Sequence, residues 1–243
     1  MNFFKKKSSA PPDLSWLVAD MHSHLLPGID DGSRSLDDSL EMIRGLVDLG
    51  YRKLITTPHI LWDLYKNTPE KIQSALATVL PAIQQQGLEV ELRAAAEYFI
   101  DDHMAREVRE KSSLLTLSGN LVLVEFSMMT APMELNEVIF ELQMQNYQPV
   151  LAHPERYTYL GRKKEVYDEL KDAGCYFQLN LLSLSGYYGA QAQELADYLM
   201  KKNYYDLAGT DMHHVKHLEA LKKIPAASLK RLQDSGNIKN RTL

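Results

Sequence analysis

Five of the eight histidines in this 243-residue chain fall where a short apolar run gives out, and carboxylates keep them company. The run 16–20 leads into Asp20-Met-His22-Ser-His24, and the run 53–57 into Pro58-His59. The run 90–96 is followed by Glu97, and the run 121–126 carries Glu125 near its end. The run 149–152 opens onto His153-Pro-Glu-Arg156, and the run 205–208 onto Gly209-Thr-Asp211-Met-His213. Imidazole and carboxylate together suit Mn²⁺, Fe²⁺ or Zn²⁺. Residues two apart on a strand point the same way, so the rings of His22 and His24 can grip one ion, and Asp211-x-His213 repeats that spacing. Taken singly, each residue has a plainer reading: a loop histidine, Glu125 in solvent, Asp20 in a turn, Glu97 paired with Arg93. Taken together they decide otherwise. Carboxylates crowded into one place repel and rise in pKa unless cations share the site, so the joint pattern predicts a multinuclear metal centre.

Such a centre needs an architecture that brings strand ends together. The apolar runs, with a further one at 176–179, alternate with amphipathic stretches in the manner of βα units around a parallel sheet. Ser35 and Asp38 form a capping pattern ahead of Leu36, Leu40, Ile43 and Val47 on one helical face, with Gly50 as the stop. Thr68 and Pro69 read as N-cap and first turn of a helix burying Ile72, Leu76, Val79 and Ile83, stopped by Gly87. Further helices are expected over 134–145, 163–172 and 191–202. Seven strands with intervening helices and no linker predict a single domain over 16–243, a TIM-like barrel with one unit fewer than eight. In such a barrel the C-terminal strand ends converge on one face. An open doubly wound sheet is the alternative, because periodicity does not report closure.

Composition narrows the function classes. A net charge of −5 without a basic stripe makes a nucleic-acid backbone a poor partner. No apolar run is long enough to span a bilayer. Residues 1–15 read as a flexible tail: Lys5, Lys6 and Lys7 precede no apolar stretch, which does not make a signal peptide. One cysteine, Cys175, allows no internal disulfide and suits a reducing compartment, so the cytoplasm is the default location. Cysteine-based phosphatases need an arginine six residues past the nucleophile, and Cys175 is followed there by Leu181; a buried core thiol is expected.

The stretch Asp20-Met-His22-Ser-His24-Leu-Leu-Pro27-Gly28-Ile-Asp30-Asp31-Gly32 resembles the PHP superfamily. It is most similar to the bacterial tyrosine phosphatases encoded with capsule and exopolysaccharide export systems. Thr57-Pro58-His59, Ala96-Glu97-Tyr98, His153-Pro154-Glu155-Arg156 and Asn180 through Gly189 carry the resemblance onward to His213. It implies a distorted (β/α)7 PHP barrel and three divalent ions, Mn²⁺ first, Fe or Zn as alternatives. One ion would be held by His22, His24, Glu97 and Asp211. A second would take Asp31, His59 and His213, and a third Glu125 and His153 with Glu97 bridging. Asp20 would orient a ligand histidine from behind. Arg156 would clamp the phosphate, its guanidinium fork matching two oxygens. The implied substrate is a phosphotyrosine protein, the tyrosine-rich tail of a bacterial tyrosine kinase controlling polysaccharide export. The chain departs from that pattern after the last Asp-x-His: an arginine is usual in that loop, and here it reads His214-Val-Lys216-His217, leaving Lys216 or His214 as candidate substitutes.

The implied chemistry is in-line attack on phosphorus by water that bound ions acidify from a pKa of about 15.7 to roughly 7. Histidinol-phosphate phosphatases are the nearest rival, and usually carry histidine where this chain has Asp31. A nuclease lacks support from any basic-aromatic groove, and an amidohydrolase lacks its bridging lysine. A non-catalytic metal-stabilised scaffold remains the alternative from another class.

Overall fold

The computed structural model describes residues 11–243. Nine parallel strand segments occupy seven strand positions: β1 (Ala19–Asp20), β2 (Lys53–Thr56), β3 (His59–Ile60), β4 (Glu91–Ala94), β5 (Glu97–Phe99), β6 (Leu121–Glu125), β7 (Gln148–Ala152), β8 (Tyr176–Asn180) and β9 (Tyr205–Gly209). The extra segments come from two interruptions. Pro58 has no N–H to offer the ladder and separates β2 from β3, while Ala95 and Ala96 separate β4 from β5. Pairing runs β1-β2-β4 on the lower parts and β3-β5-β6-β7-β8-β9 on the rest. Ala95 N–H donating to Thr56 O at 2.8 Å keeps the interrupted strands side by side.

Closure is achieved beyond the ends of β1 and β9. Ser23 bridges Met212 in parallel, His24 N–H donates to Met212 O at 2.8 Å, and Asp211 N–H to His22 O at 2.8 Å. The sheet is therefore a distorted barrel and not the open alternative. At its other end Asn240 stitches the same seam: its Oδ1 accepts from Ala208 N–H at 2.9 Å, and its Nδ2 donates to Ala19 O at 2.8 Å and to Ala208 O.

The helices cover the outside. α1 (Leu36–Asp48) starts at Ser35, whose side chain accepts from Asp38 N–H, and buries Leu40, Ile43 and Leu46. Leu36, expected on that face, lies 38% exposed in the first turn, where the stripe has not yet reached the sheet. α2 (Pro69–Gln85) buries the four residues expected of it, capped by Thr68. α3 (Asp102–Arg109), α7 (Val215–Leu221) and α8 (Ala226–Asp234) go beyond the expected helices, while α4 (Leu135–Met144), α5 (Glu165–Asp172) and α6 (Ala190–Lys201) coincide with them to within two residues. Strand residues alternate between two cores. Val122 and Val124 join the large cluster shared with the helices, and Leu123 joins a smaller one with Met21, Ile55, Val150 and Leu207 that fills the barrel interior.

The expected tail needs a correction. Residues 1–10 lie outside the described residues, but Leu14 is fully buried and donates its N–H to Leu49 O at 2.8 Å. A leucine with a core site to fill anchors the chain earlier than the boundary at 15.

Candidate metal centre

All nine residues expected as ligands meet at the mouth formed by the C-terminal strand ends. Their arrangement follows from the strands: His22 and His24 stand two apart past β1, Glu97 opens β5, Glu125 closes β6, His153 follows β7, and Asp211 and His213 follow β9. Four donor groupings have ligand atoms within 4.8 Å of one another: His22, His24 and Asp211; His22, Glu97 and His153; His59, Glu97 and Glu125; and His24, Asp31, His59 and His213.

The first expected set is compact. His22 Nε2 lies 3.1 Å from Glu97 Oε2 and 3.3 Å from Asp211 Oδ1, and His24 Nε2 lies 3.4 and 3.6 Å from the same two oxygens. In the second set, Asp31 Oδ1 is 3.4 Å from His59 Nε2 and 3.5 Å from His213 Nε2. In the third, His153 Nε2 is 3.3 Å from Glu97 Oε1 and 3.8 Å from Glu125 Oε2. His59 belongs to two sets rather than one. Its Nδ1 stands 2.9 Å from Glu125 Oε1 and 3.2 Å from Glu97 Oε2 while its Nε2 faces Asp31.

These residues fit a set of divalent ions on a specific ground. Both oxygens of Glu97 and the Nδ1 atom of His59, which face the cluster, are buried without a hydrogen-bond partner. Their neighbours stand at contact distance but not in hydrogen-bond alignment. A fully buried carboxylate left so costs several kcal/mol unless a cation meets it.

Electrostatics of the ion-free cluster point the same way. Burial would lower the pKa of His59, as would the nearby His24, yet Glu125 and Glu97 push it up to about 9. Burial opposes the charge on Glu97, but His22 and His59 hold its carboxyl well below the ordinary range. Protons on imidazoles thus neutralise the carboxylates where ions otherwise do so.

Arg156 does not pair with Glu155. Its Nη1 donates to Asp211 Oδ2 at 2.7 Å, its guanidinium lies 4.2 Å from the centre of the Tyr188 ring, and its side chain is 23% exposed. Asp211 Oδ2 also accepts from Asn180 Nδ2 at 2.9 Å, and that amide nitrogen donates to Tyr188 Oη at 3.2 Å. Asp211 thereby turns Oδ1 toward the histidines and Oδ2 toward the cation. Glu155, fully buried, accepts instead from Asn180 N–H, Ser183 Oγ and Tyr205 Oη. Arg93 pairs with Glu91, leaving Glu97 to the cluster.

Asp20 does something other than orient a histidine. Its two oxygens accept from Thr210 N–H at 2.8 Å and Thr210 Oγ1 at 2.7 Å, and burial raises its pKa to about 6 against those bonds. It sits one pleat below His22 and ties β1 to β9. The orienting groups are Gln178, whose Oε1 accepts from His22 Nδ1 at 2.9 Å, and Asp30, whose Oδ2 accepts from His24 Nδ1 at 2.8 Å and from His59 N–H at 3.1 Å. Asp30 adjoins the predicted ligand Asp31, which was a usable signal; Gln178 carries none. Cys175 is a buried thiol, pushed up to about 12 by burial, with Sγ donating to Pro149 O.

The chain is similar to known proteins over most of its length. Tyrosine-protein phosphatase YwqE of Bacillus subtilis (strain 168) is 28% identical over 199 residues, covering 82% of this chain and 78% of that protein. Tyrosine-protein phosphatase CpsB of Streptococcus pneumoniae is 28% identical over 205 residues, covering 82% and 84%. A crystal structure from work on YwqE and CpsB, described there as metal-dependent tyrosine phosphatases, superposes with a TM-score of 0.79 at 26% identity, over 92% of this chain and 90% of that one. Histidinol phosphate phosphatase from Lactococcus lactis shares the fold alone, with a TM-score of 0.53 at 11% identity over 89% of this chain and 90% of that one. Residues 18–234 match the family described as Capsular polysaccharide synthesis, CpsB/CapC, so the chain belongs to that family.

Proposed function

We propose that this protein is a metal-dependent protein-tyrosine phosphatase acting on the phosphotyrosine tail of a bacterial tyrosine kinase in capsular or exopolysaccharide synthesis. The observation that carries the reading is Glu97: a fully buried carboxylate with no hydrogen-bond donor, at the centre of converging histidines and carboxylates. The relatives named tyrosine-protein phosphatase support the substrate class. The donor set suits three Mn²⁺ ions, with Fe or Zn as alternatives, held by His22, His24, Asp31, His59, Glu97, Glu125, His153, Asp211 and His213.

Ions held there supply neutralisation of the phosphoryl oxygens and an acidified water. The chain's own residues do the rest. Gln178 and Asp30 fix which nitrogens of His22 and His24 face the centre. Asp211, engaged at both oxygens, spaces Arg156 from the histidines, and the guanidinium donors left over beside Asp211 offer a fork to the phosphate. Asp20 and Thr210 hold the seam from which Asp211 and His213 project. A phenolic leaving group, of pKa near 10, requires less protonation than an alkyl alcohol, consistent with no acid being dedicated to it.

We also propose that residues 14–243 act as one domain working in the cytoplasm; among the described residues no helix is long and apolar enough to cross a membrane. The test is phosphate release from a phosphotyrosine peptide by Mn²⁺-loaded protein, with and without chelator, beside histidinol phosphate. Chelator-sensitive release from the peptide is expected. Turnover of histidinol phosphate alone would discard the substrate, and silence on both would favour the scaffold.

A further inference from the structure

Next to the Asp31–His213 corner of the metal centre lies a cavity of about 340 Å³ whose walls include Arg34, Asp38, His214 and Lys216. A second, of about 450 Å³, begins at Lys216 and reaches Tyr187 and Lys223. The two share Lys216, so they read as one trough leading away from the centre. Some cations elsewhere around the barrel are matched, among them Arg156 with Asp211, Lys171 and Lys239 with Asp206, and Lys222 with Glu219. Arg34, Lys216 and Lys223 are exposed and make no ion pair among the described residues. The carboxylates nearby do not cancel them. Asp31 is turned to His59 and His213, and Glu219 is already neutralised by Lys222, which leaves three cations against Asp38. In a chain of net charge −5, Arg34 and Lys216 lining one cavity beside Asp31 and His213 put positive charge within reach of an anion at the centre. Tyr187, 45% exposed, gives the trough one aromatic wall.

Building on the phosphatase reading above, we infer that this trough binds the acidic flank of the phosphopeptide, with Arg34 and Lys216 as its specificity-determining contacts for anionic side chains near the phosphotyrosine. Both stand outside the donor groupings of the centre, so they select among substrates while the buried residues act on the phosphate. The recognised group is an anion within a few residues of the phosphotyrosine, whether a carboxylate or a second phosphate.

The experiment measures kcat/KM of the metal-loaded protein on matched phosphotyrosine peptides whose flanks carry alanine, glutamate, lysine or a second phosphotyrosine. Wild type is expected to prefer glutamate over alanine flanks by roughly 5- to 20-fold at low salt, the advantage shrinking toward unity near ~0.5 M salt as exposed pairs are screened. The doubly phosphorylated peptide tells whether carboxylate or phosphate is the better anion. R34A/K216A should bring the glutamate-to-alanine ratio to about 1, and R34E/K216E should invert it in favour of lysine flanks, with unchanged melting temperature excluding misfolding. A wild-type ratio near 1, or a preference that survives R34E/K216E, would overturn the inference. Turnover of the alanine-flanked peptide separates the two failures: if no peptide is hydrolysed, the phosphatase reading itself is wrong.

Discussion

Stripping the ions should make stability depend on pH in a particular window. In the ion-free cluster His59 is pushed up to about 9 from an ordinary 6.5, its side chain being 12% exposed and its ring flanked by Glu125 and Glu97. A base whose folded pKa is raised stabilises the fold fully below the unfolded pKa and loses that contribution as pH climbs through the folded one. For this shift the contribution is about 3 kcal/mol at pH 6 and about 0.4 kcal/mol at pH 9. His22 is raised too, burial opposing and Glu97 with Asp211 prevailing, so it acts in the same direction. Asp20, raised to about 6 by burial, is half-titrated at pH 6 and loses a further ~0.4 kcal/mol by pH 7, in the same direction. His217, lowered to about 4 by burial, opposes by ~0.8 kcal/mol up to pH 7.5 as its unfolded counterpart gives up its proton, which leaves a net loss. For a chain of this size ~3 kcal/mol corresponds to roughly 6–12 °C in melting temperature. The assay is thermal unfolding at pH 6, 7.5 and 9 in chelator and again with saturating Mn²⁺. Chelated protein should lose stability steadily from pH 6 to 9. Loaded protein, whose ligands must be neutral imidazoles, should not, so the gap between the curves widens with pH. A chelated melting temperature that stays flat or rises over that window would refute the account of how the empty site balances its charge.

Other expectations follow from single contacts. Arg156→Ala should lower kcat/KM on a phosphotyrosine peptide by about 10²–10³-fold with metal content unchanged by elemental analysis; unchanged turnover would remove Arg156 from the phosphate site. Cys175→Ser should keep turnover while lowering the melting temperature, because the thiol is buried and distant in role from the chemistry; loss of activity with metals retained would reinstate a cysteine nucleophile. Asn240→Ala removes three hydrogen bonds across the β1–β9 seam and should cost about 2–4 kcal/mol, read as a fall of roughly 5–15 °C.

The convergence of the proposed ligands was legible because a strand end is a local event. An apolar run that breaks into histidine or carboxylate announces both the element and its polarity, and the parallel arrangement does the gathering. The barrel's seven positions were legible for the same reason, although Pro58 and the pair Ala95 and Ala96 split two of them in a way no run length reveals. What remained hidden depends on partners far apart in sequence. Gln178 reaches His22 across 156 residues, and nothing about a glutamine inside an apolar strand says which ring waits beside it. The role that the resemblance implied for Asp20 was silent on Thr210, the partner 190 residues away from whose N–H and hydroxyl its carboxylate accepts. α3, α7 and α8 run eight, seven and nine residues, too short to display the long apolar stripe that announces α2.

The seam between β1 and β9 fixes where the proposed ligands gather. Four of the nine proposed ligands, His22, His24, Asp211 and His213, project from the chain just past those two strands. Asp211 does so with φ +50°, and His153 across the mouth with φ +33°, both in the left-handed region that a non-glycine residue adopts at a cost of about 1–3 kcal/mol. Such a backbone holds its place only when its surroundings over-determine it. At Asp211 they do: His22 O takes its N–H, Arg156 and Asn180 take its carboxylate, and Asp20 locks the preceding Thr210. Gly209 completes the fit, since a Cβ there would stand 2.7 Å from His22 Cβ and 3.0 Å from Gln178 Nε2. Closing the barrel and shaping the first grouping of ligands are therefore one structural act, and the seam that looks like ordinary sheet pairing is what sets the distance between His22 and Asp211.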